Sequence, residues 1–256
     1  MIGPALVNQL ITSGCRVKIF SRRSFDAAMF NASVESCSGD ITDMPSIRRA
    51  VENVDVVFHL AAKLHINDPF PDQADQYQRI NVDGAINVAR AACEANVGRM
   101  VHFSTINVYG PSQVGSPPYI ENSSLNPKSF YAASKIRSEE GILKTFREYG
   151  RSSAVILRIA AVYGPRLQGN YRTLVKALKK GLFWPVGNGQ NRRTMIYIDD
   201  LVRAAILAAE HPRAGGRIFN VTDGKIHTLD EVLLAISRAA GRTPIKFHLP
   251  RGPVQR

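Results

Sequence analysis

Apolar and polar positions follow the periods of alternating helices and strands along most of the chain. Residues 3–13 place apolar side chains on one helical face and end at Gly14, which predicts a helix with a glycine cap. Short apolar runs, each a candidate buried strand, recur at 16–20, 55–60, 100–104 and 154–157. Helical stretches at 74–96 and 129–149 separate them. This spacing predicts βαβ units and therefore an α/β fold, a doubly wound parallel sheet covered by helices on both faces.

The pattern changes after residues 163–165, Tyr-Gly-Pro. Glycine-rich loops, a helix over about 199–210, a strand at 217–221 and a helix over 228–240 follow. We expect a first domain over residues 1–162 and a smaller C-terminal substrate lobe over 163–256, interleaved with the first. The proline-interrupted tail leaves open whether that lobe is complete.

Length and composition indicate a globular protein. The chain has 256 residues, 45% hydrophobic and 21% charged, which excludes disorder and a coiled coil. No apolar run approaches the roughly 20 residues of a bilayer helix, and the start lacks the features of a signal peptide. We therefore expect a cytoplasmic protein with no membrane partner. Cys15, Cys37 and Cys93 form no C-x-x-C pair, so we expect reduced thiols and no metal site.

The charge balance favours an anionic partner. Lys and Arg number 33 against 21 Asp and Glu, a net charge of +12, which suits phosphates, nucleotides or nucleic acid. Because the basic residues are scattered and not interleaved with aromatic residues, nucleic acid is the minority interpretation.

Tyr131 and Lys135 are the first candidates for chemistry. They lie four residues apart at the start of a predicted helix and so share a face. A phenol has a pKa of about 10, and a neighbouring ammonium favours the phenolate. We expect Lys135 to lower the pKa of Tyr131, which would make Tyr131 a general acid or base. Such a pair also arises by chance on solvated helices.

Two hydroxyls end the predicted strand at 100–104. Ser104 and Thr105 would lie at the carboxyl edge of a parallel sheet, where open α/β folds bind ligands. Thr105 could donate a hydrogen bond to a substrate oxygen. The alternative is that both hydroxyls only satisfy backbone groups of the turn.

Taken in order, several motifs make the chain resemble the extended short-chain dehydrogenase/reductase family, the NAD(P)-dependent sugar-nucleotide epimerases and dehydratases. The resemblance covers nearly the whole chain. It rests on Gly39-Asp40-Ile41, His59-Leu60-Ala61-Ala62, Asn81-Val82-Asp83-Gly84, Ser104-Thr105 with Val108-Tyr109-Gly110, Tyr131 with Lys135, Arg158 with Val162-Tyr163-Gly164-Pro165, and Arg193 with Tyr197-Ile198-Asp199-Asp200.

The resemblance implies a role for each matching residue. Thr105, Tyr131 and Lys135 would be the catalytic set, and Lys135 would also hold the nicotinamide ribose. The implied cofactor contacts are Gly3, Asp40, Ile41, Ala61 and Ala62, and the implied substrate contacts are Ser104, Asn170 and Arg193. Arg193 lies in a loop similar to one that offers a guanidinium to the substrate pyrophosphate. The alternative is that Arg192 and Arg193 are a solvated loop pair.

Departures from the family pattern narrow the reaction. Family dehydratases carry Asp-Glu after the catalytic threonine, whereas Ile106 and Asn107 stand here, which argues against dehydration. The resemblance favours 4-epimerisation of a nucleotide sugar of the UDP-hexose or UDP-N-acetylhexosamine type, through a 4-keto intermediate, in a homodimer. Ala161 stands where many epimerases have Asn, which weakens the sugar-nucleotide assignment.

Two alternatives stay open. One is an NADP-dependent ketoreductase or hydroxysteroid-type dehydrogenase that uses the same three residues. The other is a non-catalytic, cofactor-sensing or RNA-associated relative, suggested by the net charge of +12.

The expected cofactor follows from the end of the first predicted strand. Ser21, Arg22 and Arg23 stand where an NAD enzyme presents a carboxylate to the ribose, which favours NADP over NAD, with surface charge as the alternative. Gly3 matches the third glycine of the family's G-x-x-G-x-x-G motif. We therefore expect the chain to be N-terminally truncated, without the first strand and the first two glycines, or to bind its cofactor less tightly.

Overall fold

The computed structural model describes residues 2–23, 30, 34–64, 73–112, 115–165, 170–242 and 249, without the side chains of residues 73, 170 and 171. These residues form two compact units. The large unit consists of Ile2–Ile159 and Val202–Val221, and the small unit consists of Ala160–Leu201 and the described residues from Thr222 onward. The domain division expected between residues 162 and 163 stays a prediction.

Helices and strands alternate through most of the described chain. The described strands are β1 (Val17–Ser21), β2 (Val34–Ser38), β3 (Val56–His59), β4 (Arg99–Thr105), β5 (Ala154–Ile159), β6 (Ala161–Tyr163), β7 (Arg192–Arg193), β8 (Met195–Tyr197), β9 (Ile218–Val221) and β10 (His227–Thr228). The described α-helices are α1 (Ile2–Thr12), α2 (Met44–Val51), α3 (Gln73–Tyr77), α4 (Gly84–Glu94), α5 (Phe130–Glu148), α6 (Asn170–Lys180), α7 (Ile198–Glu210) and α8 (Leu229–Ala239). None of these helices is long and apolar enough to cross a membrane.

Parallel strands form the centre of the large unit. A four-stranded sheet has the order β3-β4-β5-β9 with every pair parallel, and β1 pairs with β2 in a separate parallel ladder. The carboxyl ends of the four strands therefore lie at one edge of their sheet. The predicted α/β fold with a Rossmann-like parallel sheet is confirmed.

The core of the large unit lies between this sheet and helices α4 and α5. Strands β4 and β5 are almost entirely buried; β5 is apolar except for Arg158, whereas β4 combines apolar side chains with the buried polar residues His102, Ser104 and Thr105. Helix α4 contributes small side chains, of which Ala85, Ala89 and Ala92 are fully buried. A Cβ at Gly141 of α5 would lie only 2.5 Å from the side chain of Ile86 on α4, so the two helices pack closely there and a larger residue would force the Ile86 side chain to shift.

Some elements were not predicted from the hydrophobic pattern. Strand β2 has the largely polar sequence VESCS, and the basic helix α6 precedes the glycine-rich loops in a segment for which the sequence pattern predicts no element. Helix α2 begins after an N-cap residue, Asp43, whose side chain accepts a hydrogen bond from the backbone N–H of Ser46. The predicted helix at 74–96 is instead α3, a π-helical segment over Gln78–Asp83, and α4.

The small unit is built on two short ladders. Strands β6 and β8 pair in parallel, and β7 and β10 pair antiparallel. Helix α8 starts with a capping box, in which Thr228 and Glu231 each accept a hydrogen bond from the backbone N–H of the other.

Candidate functional site

Thr105 is the last residue of β4 and lies at the carboxyl edge of the sheet. Its Oγ1 accepts a hydrogen bond from the backbone N–H of Asn107 at 3.2 Å and so caps the short 3-10 helix Ile106–Tyr109. The hydroxyl proton is not used in this contact, so Thr105 can still donate to a ligand. The structural and the functional interpretation of Thr105 are therefore compatible.

Tyr131 lies in the first turn of α5 and Lys135 in the next turn. The helix starts at this point because the Ser129 side chain accepts a hydrogen bond from the backbone N–H of Ala132 at 3.1 Å. Lys135 is only 2% exposed, and its Nζ lies 3.0 Å from Nε2 of His102 on β4. The Lys135 side chain thus points from α5 into the interior of the large unit, against strand β4.

The electrostatics of this pair differ from expectation. Burial, with a smaller contribution from Tyr77, raises the pKa of Tyr131 to about 12. The expected lowering of the Tyr131 pKa by Lys135 is wrong for this arrangement, because burial of the phenol dominates. The pKa of Lys135 itself is lowered to about 7, because burial disfavours the ammonium more than Glu139 favours it.

The backbone after β3, where Ala61 and Ala62 lie, is fixed by Asn81. The Asn81 amide accepts from the N–H of Lys63 at 2.7 Å, and donates to the carbonyl of Lys63 at 3.1 Å and to the Ser134 hydroxyl of α5 at 2.9 Å. The π-helical segment Gln78–Asp83 places Asn81 for these bonds. The result is a fixed backbone with small side chains at the carboxyl edge of the sheet, which fits the passage of a dinucleotide.

Asp40 lies beyond β2 and is held as a carboxylate. Its Oδ1 accepts hydrogen bonds from the N–H and the hydroxyl of Thr42, both at 2.9 Å. The backbone bond from Thr42 lowers the pKa of Asp40, and the charges of Arg22 and Arg79 add to this effect. Asp40 is thus a charged hydrogen-bond acceptor near Arg22, which is compatible with its implied contact with the cofactor.

The neighbouring Ile41 has a different place from Asp40. Its side chain is 8% exposed and belongs to the hydrophobic core. A Cβ at Gly84 would lie 2.7 Å from the Ile41 side chain, so the absence of a side chain at Gly84 leaves room for Ile41 in the core. Any contact of Ile41 with a cofactor would have to use its backbone.

The remaining predicted cofactor residues lie near α1 and β1. Arg22 and Arg23 are exposed and directly follow β1, and the Ser21 hydroxyl donates to the carbonyl of Arg23. Gly3 lies in the first turn of α1, where an added Cβ would meet no atom within 4 Å. Among the residues that the structure describes, no His, Cys, Asp and Glu side chains cluster as a metal site would need.

Ser104 does not take the place expected for a substrate contact. It is 2% exposed, and its hydroxyl donates to the Glu139 carboxylate inside the protein. Glu139 in turn forms an ion pair with Arg158. Ser104 therefore supports this buried ion pair, and a substrate contact would require the side chain to turn away from it.

The other two predicted substrate residues lie in the small unit. Arg193 is exposed on β7, and its backbone is opposite His227 of β10. Asn170 is the first residue of α6, and its side chain lies outside the described set. The structure thus brings Thr105, Tyr131 and Lys135 into one unit, while Asn170 and Arg193 belong to the other.

Sequence reasoning assigned no role to the buried polar residues around Lys135. His59 and His102 interrupt apolar strands, and Glu139 and Arg158 are charges within buried elements. Each was visible as a polar residue in an apolar run, a position that requires a partner. The sequence alone did not show which residue pairs with which.

Comparison with known proteins identifies the family. A sequence model of the NAD dependent epimerase/dehydratase family matches residues 1–222. The chain belongs to this family. It is 28% identical to a UDP-glucose 4-epimerase of Vibrio cholerae over 213 residues, 81% of the chain and 65% of that enzyme. It is also 26% identical to the sterol-4-alpha-carboxylate 3-dehydrogenase, decarboxylating, of Bos taurus over 260 residues, 97% of the chain and 70% of that enzyme.

Solved structures show the same relationship. The structure of MoeE5 in complex with UDP-glucose and NAD superposes with a TM-score of 0.81 and 27% identity, over 97% of this chain and 81% of that one. The chain spans 62% and 65% of the lengths of two curated relatives.

Proposed function

We propose that this family member is an NAD(P)-dependent epimerase that inverts C4 of a nucleotide sugar, of the UDP-hexose or UDP-N-acetylhexosamine type, through a 4-keto intermediate. The observation that carries the proposal is the placement of Thr105, Tyr131 and Lys135 in one unit, at the carboxyl end of β4 and the start of α5. The similarity to a UDP-glucose 4-epimerase supports it.

Each of the three residues has a role in this proposal. NAD(P), when bound, supplies a group that accepts and returns hydride. The Tyr131 hydroxyl exchanges a proton with the C4 hydroxyl of the sugar, and Thr105 donates a hydrogen bond to the same sugar oxygen. Lys135 supplies a hydrogen-bond donor for the nicotinamide ribose. With a pKa of about 12, Tyr131 holds its proton near neutral pH and is placed to give it to the C4 oxygen when the 4-keto group is reduced.

We propose Arg193 as the contact for the substrate pyrophosphate and Asn170 as a further substrate contact. Arg193 is exposed on β7, next to a loop in which Gly187 and Gly189 have positive φ values of 90° and 67°. A guanidinium offers paired donors that match phosphate oxygens. Replacing Arg193 by Lys keeps the charge but removes the fork, and should raise KM for the nucleotide sugar.

The cofactor is proposed to be NADP in preference to NAD. The described residues at the end of β1 include two exposed guanidiniums, Arg22 and Arg23, and no carboxylate. A 2′-phosphate would find charge-assisted donors there, whereas the ribose hydroxyls of NAD would find no carboxylate directly after β1. We also propose a homodimer that pairs α4 and α5 across a two-fold axis, and light scattering would measure its mass.

A reductase or hydroxysteroid-type dehydrogenase is the second candidate. The similarity to a sterol dehydrogenase over 97% of the chain favours it, as does Ala161 in place of a nucleotide-binding amide. The same three residues would then assist one hydride transfer per turnover, and the cofactor would be oxidised or reduced in the net reaction.

Cofactor stoichiometry separates the two candidates. The purified protein is incubated with NADP or NAD and with UDP-glucose, UDP-galactose or UDP-N-acetylglucosamine, and the sugars are resolved by chromatography. The proposed function predicts interconversion of the 4-epimers without net reduction of the cofactor. Net cofactor consumption with a carbonyl or hydroxysteroid substrate would support the second candidate instead. The Tyr131→Phe variant is the control for either reaction.

A further inference from the structure

Two stacked imidazoles lie next to Lys135 in the interior of the large unit. His59 of β3 and His102 of β4 are register partners, and their rings stack with centroids 5.2 Å apart. Both are at most 5% exposed. Nδ1 of His102 and Nε2 of His59 have no hydrogen-bond partner in the part of the chain that the structure describes. Unpartnered buried nitrogens are rare and call for an explanation.

The hydrogen bonds around His102 restrict where its ring proton can lie. Nε2 is 3.0 Å from Lys135 Nζ and 3.2 Å from the Ser138 hydroxyl. The Ser138 hydroxyl donates its proton to the carbonyl of Lys135 at 2.8 Å, so it can only accept from His102. An ammonium at Lys135 requires a bare Nε2 and therefore a proton on Nδ1. A neutral amine allows an Nε2–H that donates to the amine and to Ser138.

Only Lys135 changes its charge near neutral pH in this cluster. Burial lowers the pKa of His59 to about 3 and that of His102 well below its usual range, so both imidazoles stay neutral. The pKa of Lys135 is about 7.

The other groups that face the cluster are either held in ion pairs and hydrogen bonds or neutral. On α5, Glu139 accepts hydrogen bonds from Ser104 and is paired with Arg158 of β5, while Tyr131 keeps its proton. Tyr77 of α3 meets the Tyr131 ring edge-on at 6.3 Å between centroids. The contact with His102 is therefore the one that responds to the charge of Lys135.

We propose that His102 is a positioning residue for Lys135, and that its ring proton moves from Nδ1 to Nε2 when Lys135 releases a proton to solvent. The imidazole keeps a single proton throughout, so the pair as a whole loses one. By accepting from the ammonium, His102 stabilises the charged lysine one helical turn from Tyr131. The part of this inference that concerns turnover rests on the proposed function, whereas the exchange between tautomers does not.

Nuclear magnetic resonance of imidazole nitrogens tests the exchange without substrate. In uniformly 15N-labelled protein, Nε2 of His102 should show the shift of a bare nitrogen below a midpoint of about 7 and of a protonated one above it, the reverse of Nδ1. In Lys135→Met the exchange should vanish and His102 should keep one tautomer at all pH values. A His102 signal that keeps its tautomer across the titration in the unmodified protein would overturn the proposal.

Three substitutions at His102 test the effect on turnover. A Gln amide can place its oxygen near the position of Nε2, an Asn amide reaches only the position of Nδ1, and Phe keeps the stacked ring without an acceptor. His102→Phe and His102→Asn should lower kcat at least about 10-fold, with little change in KM, and move the alkaline limb of the pH profile to lower pH. His102→Gln should restore most of kcat and the position of the limb.

A control variant and thermal melting separate an effect on Lys135 from a general loss of structure. Thr145→Val removes a buried hydroxyl elsewhere on α5 and should leave the pH profile unchanged, with thermal melting used to check the fold of every variant. If Phe, Asn and Gln give the same profile as the unmodified protein, His102 does not position Lys135. If the tautomers exchange as expected but no nucleotide sugar turns over, the proposed function fails and the inference about His102 stands.

Discussion

Arg158 Nη2 and Glu139 Oε2 lie 2.7 Å apart, with their side chains only 4% and 3% exposed. The pair links β5 to α5, and the Ser104 hydroxyl of β4 donates to the same carboxylate. Arg158 Nη1 also donates to the Tyr109 hydroxyl at 2.8 Å, which in turn donates to Asn220 of β9 at 2.8 Å. These buried bonds hold α5, which carries Tyr131 and Lys135, against the strands.

Removing one partner of this ion pair should destabilise the fold strongly. Arg158→Met leaves the Glu139 carboxylate buried without its cation, which typically costs about 3–5 kcal/mol. The free energy of unfolding in urea measures this loss. The double variant Arg158→Met, Glu139→Met should regain part of it, because neither charge then remains buried. The exposed control Lys144→Gln, which breaks the pair with Glu148, should barely move the urea midpoint. A single variant as stable as the unmodified protein would contradict the proposed strength of the pair.

Tyr131→Phe should lower turnover by at least about two orders of magnitude and leave substrate binding largely intact. The substitution deletes the hydroxyl that exchanges the proton but keeps the ring against Tyr77. Steady-state kcat measures the first effect, and equilibrium titration with the nucleotide sugar measures the second. Turnover close to that of the unmodified protein would remove Tyr131 from the mechanism.

The hydrophobic pattern predicted most of the large unit but little of its polar interior. The apolar residues of strands β4 and β5 form short runs, and those of helices α4 and α5 recur at helical spacing. These patterns predict all four elements from the sequence. Strand β2 was missed because its sequence VESCS lacks such a period. The role of Lys135 was predicted from its spacing to Tyr131, yet its contact is His102, 33 positions away along the chain. Spacing along one helix does not reveal which side chains a neighbouring strand supplies.

Thr105 should contribute less than Tyr131. Thr105→Ala removes one donor to the substrate oxygen, and water can replace it in part. The same change removes the cap on the N–H of Asn107, so some loss of stability accompanies it. Thr105→Ser keeps both functions and should retain most of kcat and of the melting temperature. A Ser variant as impaired as the Ala variant would indicate that the methyl group, rather than the hydroxyl, matters.

Arg22 and Arg23 should set the preference for NADP. In the unmodified protein we expect tighter binding of NADP than of NAD by fluorescence titration. Replacing both arginines by Ala should reduce this difference by at most about 3 kcal/mol, the scale of one or two charge-assisted hydrogen bonds. Arg16→Ala, which lies before β1 rather than after it, is the matched control. Equal affinities for both cofactors in the unmodified protein would assign these arginines to ordinary surface charge.

The buried His59 should make the fold sensitive to acid. Burial lowers its pKa from 6.5 to about 3 in the folded protein, with a smaller contribution from the charge of Lys135. Between these two values the unfolded chain binds more protons than the folded one, so stability must fall as the pH falls through this range. One such group contributes a slope of about 1.4 kcal/mol per pH unit.

His59→Phe keeps a ring to stack on His102 but cannot take up a proton. The free energy of unfolding, measured in urea between about pH 4 and 6, should therefore depend less steeply on pH by about one proton. Phe103→Leu, a substitution in the buried strand β4 that removes no titratable group, should lower stability at every pH without changing the slope. If His59→Phe behaves like Phe103→Leu, then His59 is already protonated in the folded protein or gains its proton without unfolding. The stacked pair would then have access to solvent, and the neutral imidazoles assumed for the contact between His102 and Lys135 would have to be abandoned.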